Sequence, residues 1–246
     1  MIELFNAALT LNQRAMLGLR DSPEVVRRGL LVVLFVGLLV GAVSGASTLI
    51  NTATPARTVA TVQAVVEQQK RQITLGPNAE QLQPLLQFVN ENEDDFYALL
   101  EELLSLPTPL PRPVGLAFQW LASVVSTPLG YLGGLLFSVV LTHIAARQLG
   151  GQGSIQQMLG LGALSVAPHA LDALGFIPAL GSMLGLIAWL WGLVILVVAT
   201  SVAHRLDSTR ATLAVLLYPL LLGLLGFLAL CGLIFLGVAA ASGGGQ

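Results

Sequence analysis

Charge is the first thing this chain lacks. Asp, Glu, Lys and Arg make up only 10% of its 246 residues, against about 25% in soluble globular domains. That excludes an ordinary water-soluble domain, and the mean hydropathy of +0.82 points to a membrane. Lysine is almost missing: of 11 basic residues only Lys70 is not Arg, so no lysine-rich anchor for anionic lipid exists. A net charge of −2 offers nucleic acid no basic field. Cys231 is the single cysteine, which excludes an internal disulfide and any thiolate metal site.

What the chain does have is long apolar runs. A span needs about 20 apolar residues to cross about 30 Å of hydrocarbon, and Gly29 to Ile50 meets that. Val114 to Ala145 would reach about 48 Å as one helix, too long to stand upright. Pro128 removes a backbone donor and clashes with the turn before it, so a break is expected there. Residues 114–126, with Trp120, then form an interfacial helix, and 128–145 the second span. The third runs over 155–177, broken by Pro168, the fourth over 180–202 and the fifth over 211–240. The expected fold class is therefore all-α: an integral membrane five-helix bundle, with segment 1–28 before it and the tail 242–246 after it.

Arginine sets the orientation. Arg14, Arg20, Arg27, Arg28, Arg147, Arg205 and Arg210 all fall on one side if five spans alternate, whereas Arg57, Lys70, Arg71 and Arg112 lie in a long loop that the rule discounts. The N-terminus is thus expected in the cytoplasm and the C-terminus outside. A cleaved signal peptide ending at "SGA" would need a 28-residue n-region, far beyond the usual length.

The loop of residues 51–113 is expected to be a small extracytoplasmic helical insertion between the first and second spans. Val59, Val62, Val66 and Ile73 recur at helical spacing. "GPN" at Gly76 to Asn78 breaks that helix, and Leu82, Leu85, Leu86 and Val89 start a second. A third is expected from an Asn92 cap, with Glu93, Asp94 and Asp95 in its first turn. "PTPLPRP", Pro107 to Pro113, is a stiff connector. The loop's eight acids read as the solvated faces of these helices. "NENEDD" lacks the central Gly and the terminal Glu of a calcium loop.

Ionisable groups inside spans are costly and are functional candidates by default. His169 and Asp172 lie three apart in "SVAPHALDALG", on one helix face. His143 and His204 fall at the cytoplasmic ends of the second and fourth spans, so the three histidines and Asp172 can share one ion only if the third helix is displaced. Hydrogen bonding around the Pro168 kink is the plainer use of His169 and Asp172. No G-x-S-x-G elbow is present. "GGQGS" lacks the Lys and the spacing of a phosphate loop. No catalytic residue, cofactor or metal is expected, and the chain reads as a non-enzyme.

Glycine spacing carries more. Gly37, Gly41 and Gly45 repeat every four residues in the first span, and Gly181 and Gly185 open the fourth. Such small-residue ridges let helix backbones approach closely. The seam is expected to pack on another helix of this chain, on other membrane proteins or on a second copy.

The stretch "FSVVLTHIAARQLGGQGSIQQMLGLGALSVAPHAL", with "IPALGSMLGLIAWLWGLVILVVATSVAHRLDSTRATLAVLL", resembles the conserved core of the YIP (Ypt/Rab-interacting protein) domain family of membrane proteins. The matching positions are His143, Arg147, Gly150, Gly151, Ala167, Pro168, Pro178, Gly181, Trp189, Gly192, Ala203, His204, Ser208 and Ala211. The resemblance is good over 129–217 and places the YIP-like core at 114–241. It implies a five-span bundle with a cytoplasmic N-terminus. Eukaryotic members resemble adaptors that bind prenylated Rab-type GTPases in vesicle trafficking and membrane shaping; their long cytoplasmic N-terminal extension has no counterpart in segment 1–28, and Rab binding is not expected to carry over. The Arg-rich, Lys-poor composition points to a prokaryotic member, in a bacterial inner membrane.

The expected function is a non-enzymatic membrane scaffold or interaction protein, as an accessory subunit of a larger complex, with membrane lipids and other membrane proteins as partners. The competing expectation is a small transporter or channel using His169 and Asp172. The stretch His143 to Ser154 is expected to be a membrane-edge turn. Arg147 would sit at the negative helix end, Gly150 and Gly151 would supply turn conformations and Ser154 would cap the next helix.

Overall fold

A computed structural model describes residues 2–51, 54–76, 79–106, 111–177 and 180–243. Among them the fold is all helical, without strands. The order is α1 (Ile2–Leu9), α2 (Gln13–Arg20), α3 (Val25–Asn51), α4 (Pro55–Leu75), α5 (Gln83–Ser105), α6 (Arg112–Gln148), α7 (Ile155–Gly162), a 3₁₀ helix (Ala163–Leu174), α8 (Leu180–His204) and α9 (Ser208–Gly243). Pro77, Asn78, the connector residues 107–110, Pro178 and tail residues 244–246 lie outside the described residues.

Two compact units result, one of residues 1–41 with 125–246 and the other of 42–124. In the first, α7 and the 3₁₀ helix form the centre. Met158, Leu161, Ala163, Leu164 and Ala167 are fully buried, and so are Ile195 and Ala199 of α8, the helix packed against them. The expected cytoplasmic segment folds as α1 and α2. Asn12 caps α2 through the Ala15 N–H at 3.3 Å, and Met16 and Leu19 join the core. Trp191 donates to the Leu9 carbonyl at 3.2 Å, and Arg20 donates to the Val202 carbonyl at 3.3 Å. Elements this short show little periodicity, which is why they are hard to read in sequence.

Among the described residues, four helices are long and apolar enough to cross a membrane: Val25–Asn51, Arg112–Gln148, Leu180–His204 and Ser208–Gly232. The third expected span, 155–177, is instead eight residues of α-helix followed by twelve of 3₁₀ helix. Pro168 lies inside the 3₁₀ part and has no N–H to continue an α ladder. At about 1.5 and 2.0 Å per residue the two parts together reach about 36 Å if collinear. Protein buries Leu164, Val166, Ala167 and Pro168 of the 3₁₀ part, the condition under which such backbone is tolerated at membrane depth.

The expected break at Pro128 is absent, and α6 runs unbroken for 37 residues. Pro128 costs the helix one hydrogen bond, yet its ring is buried against Gly37, where an added Cβ would lie 2.6 Å from Pro128 Cβ. Packing thus offsets the lost donor. Pro113 stands within the first turn of α6, where its missing N–H removes no helical bond, so the connector ends earlier than expected.

In the second unit, Thr54 caps α4 by accepting from the Arg57 N–H at 3.2 Å. The two further helices expected before the connector are one, α5. Asn92 is not its cap but stands mid-helix and donates to the Phe88 carbonyl at 2.8 Å. No Gly or Pro lies between Pro84 and Ser105 to interrupt it, so one helix propagates at lower cost than two nuclei. Lys70 of α4 pairs with Glu67 and, across the hairpin, with Glu93 of α5. That pairing holds the Lys70 ammonium well above its ordinary range and the Glu67 carboxyl below its own, through the hydrogen bond they share.

Candidate functional site

Two polar clusters stand in the first unit. The first ties the loop after α6 to the end of α8. His204 is fully buried. Its Nδ1 accepts from the Gly153 N–H at 3.2 Å, so its proton sits on Nε2, which lies 3.0 Å from His143 Nδ1. His204 therefore donates to His143, and both rings are neutral in this arrangement. The His204 carbonyl also accepts from the Gln152 N–H at 3.1 Å. Arg147, in the last turn of α6, donates to the Gly151 carbonyl at 3.4 Å.

Of the two turn glycines, Gly150 alone is left-handed, with φ of 93°. Gly151 is needed for space: a Cβ there would lie 2.6 Å from His204 Nδ1. Ser154 caps α7 in a reciprocal capping box with Gln157. His143, Arg147, Gly150, Gly151 and His204 are thus brought together in one latch. The neighbouring Thr142 hydroxyl is buried and has no hydrogen-bond partner.

The second cluster joins His169 and Asp172 and adds a residue that the sequence reading missed. His169 Nδ1 lies 2.7 Å from Asp172 Oδ2, and the Tyr131 hydroxyl of α6 donates to the same oxygen at 2.7 Å. One carboxyl oxygen thus holds both α6 and its own helix. The missed signal was simple: Tyr131 is the one tyrosine in the second apolar run. Tyr131 and His169 line a cavity of about 310 Å³ between α6, the 3₁₀ helix, α8 and α9, whose other walls are mostly apolar. The two clusters use different residues and share none.

The glycine seam is occupied within the chain. Gly37 meets Pro128, Gly41 is buried, and a Cβ on Gly45 would lie 2.9 Å from the Trp120 ring. Trp120 also donates to the Ala42 carbonyl at 3.1 Å. In α8, Gly181 abuts the backbone of Gly175, and Gly185 lies in ordinary contact with Asp172. A closer approach than those of Gly37, Gly45, Gly181 or Gly185 is that of Gly29 to Gly160, where α3 meets α7.

A family model described as the Yip1 domain matches residues 9–230. No curated protein and no solved structure matches the chain.

Proposed function

The chain belongs to the Yip1 family, and on that premise we propose that this multi-pass membrane protein is a non-enzymatic scaffold, serving as an accessory subunit of a larger complex in a bacterial inner membrane. The observation that carries the reading is where its buried polar side chains are spent. Buried His204 bonds half-buried His143 and the Gly153 backbone, and half-buried Tyr131 and His169 bond Asp172, so that each pair ties helices of the bundle together. Outward faces are apolar, as along α9, where Leu213, Leu220, Leu225 and Phe227 are each more than half exposed. Since α6 occupies Gly37 and Gly45, partners would meet these outer faces. In this reading α7 and the 3₁₀ helix together make the fifth crossing, with the N-terminus cytoplasmic and the α4–α5 hairpin outside.

Purification from native membranes in mild detergent tests the proposal. We expect a mass above that of the monomer and a stoichiometric companion protein. A lone monomer under every mild condition would end it. Reporter fusions within residues 54–106 test the orientation, and a cytoplasmic signal there would overturn it.

A second reading, a small conduit, is favoured by one observation: His169 stands in the cavity wall with Asp172 behind it. Liposome flux that falls in Asp172→Asn supports it, whereas flux that is absent or unchanged removes it.

A further inference from the structure

We infer that the cavity beside His169 is a binding site for the hydroxyl end of a neutral long-chain lipid drawn from the bilayer. The inference goes beyond both functional readings and depends on neither. Its first ground is the proton arrangement. Asp172 Oδ2 accepts from Tyr131 and lies 2.7 Å from His169 Nδ1; with the ring assigned as the Nδ1–H tautomer, which that contact favours, the lone pair is on Nε2. That atom lies on the cavity side, 3.9 Å from the position of a Cβ added at Gly192. Among the described residues no group donates to it.

The two serine protons in the wall are already used. Ser138 donates to the Leu135 carbonyl at 3.0 Å, and Ser165 donates to the Gly162 carbonyl at 2.7 Å. The cavity therefore offers a visitor the His169 ring nitrogen, to which no described group donates, beside a few hydroxyl oxygens in a mostly apolar chamber. An ion or carboxylate would lose its hydration with nothing to replace it. A hydroxyl would gain one hydrogen bond and leave its chain among apolar walls.

The mouth points to the same class of ligand. Phe137, Trp189 and Leu222 line the cavity and are 46%, 40% and 45% exposed on the outer surface. Access is thus through side chains that face lipid rather than water. A volume of about 310 Å³ holds about ten non-hydrogen atoms at roughly 30 Å³ each. That suits a single chain end and not a two-chain phospholipid headgroup.

The test uses the full-length protein in lipid nanodiscs with hexadecanol carrying a photoreactive diazirine, and mass spectrometry to locate the label. We expect saturable labelling on α6, the 3₁₀ helix and α8. Unlabelled hexadecanol should compete about tenfold better than its methyl ether, the worth of one net hydrogen bond. His169→Phe should bring the alcohol down to the level of the ether. Asp172→Asn, whose amide can donate to Nδ1, should move the ring proton to Nε2 and let the ether compete equally. The proposal is overturned if ether and alcohol compete alike in the parent, if hexadecanoate competes better than the alcohol, or if label spreads evenly over lipid-facing α9. Size-exclusion elution matching the parent identifies the variant that is folded, and either one suffices.

Discussion

The two units are built from the same helix and held by different forces. In the first, backbone meets backbone at glycine, and side chains such as Met158, Leu164 and Ile195 are fully buried. In the second, the α4–α5 hairpin buries only Val59 and Leu86, and Phe88, Phe96, Leu99 and Leu103 stay more than half exposed. Its defined cross-link is the half-buried ion pair of Lys70 with Glu93. Packing tolerance should therefore differ sharply between them. A methyl group is decisive in one unit, and pH is the sharper lever in the other.

The harshest way to break the first unit is Gly160→Leu. A side chain there would enter the Val25 backbone, which cannot rotate aside. We expect a loss of about 3 kcal/mol or more, or no folded protein, read by thermal unfolding in detergent. His204→Ala comes next. It strips the Gly153 N–H of its acceptor in a buried place and leaves a hole, at a cost of about 2–4 kcal/mol. An unfolding midpoint unchanged from the parent would refute the latch.

Arg205 offers a smaller effect of opposite sign. Its φ of 55° just after α8 is left-handed, so Arg205→Gly should stabilise by about 1 kcal/mol. The same unfolding assay detects it.

The hairpin should respond mildly, and to pH. Glu67 is held below its ordinary value by Lys70, so its contribution is complete above the unfolded carboxyl value, about 4.3, and fades as pH falls through the lower folded one. Lys70 is held above its ordinary value. It contributes fully below about 10.4 and less as pH rises through its folded value. Hydrogen exchange of α4 and α5, corrected for intrinsic rates, should therefore be slowest between about pH 5 and 10. Lys70→Met should abolish that window and leave exchange in α7 and α8 unchanged.

Much of this was legible in residue order because lipid demands it. Long apolar runs without charge gave the helices now seen as α3, α6, α8 and α9, with ends within a few residues except at the start of α6. Gly150, Ser154 and Arg147 declared the latch through local chemistry, since turns, caps and helix ends are decided by neighbours in sequence. Pro128 misled because the helix gains from packing what it loses in hydrogen bonding, and its partner Gly37 lies 91 residues away. The joining of His143 to His204 and of Tyr131 to Asp172 required tertiary placement, with sequence separations of 61 and 41. Asn92 misled for another reason: a good capping residue is also tolerated mid-helix when its amide bonds the preceding turn.

The 3₁₀ winding of Ala163–Leu174 has a consequence for His169 and Asp172. With three residues per turn, side chains three apart stack directly above one another, so the imidazole lies straight over the carboxylate. Rewound at 3.6 residues per turn, the same twelve residues would shorten by about 6 Å and rotate that pair about 60° out of line. Axial stretch and proton-bearing contact are thus coupled in one coil, so a pull or push along this segment would be felt at the Asp172 oxygen that Tyr131 also holds.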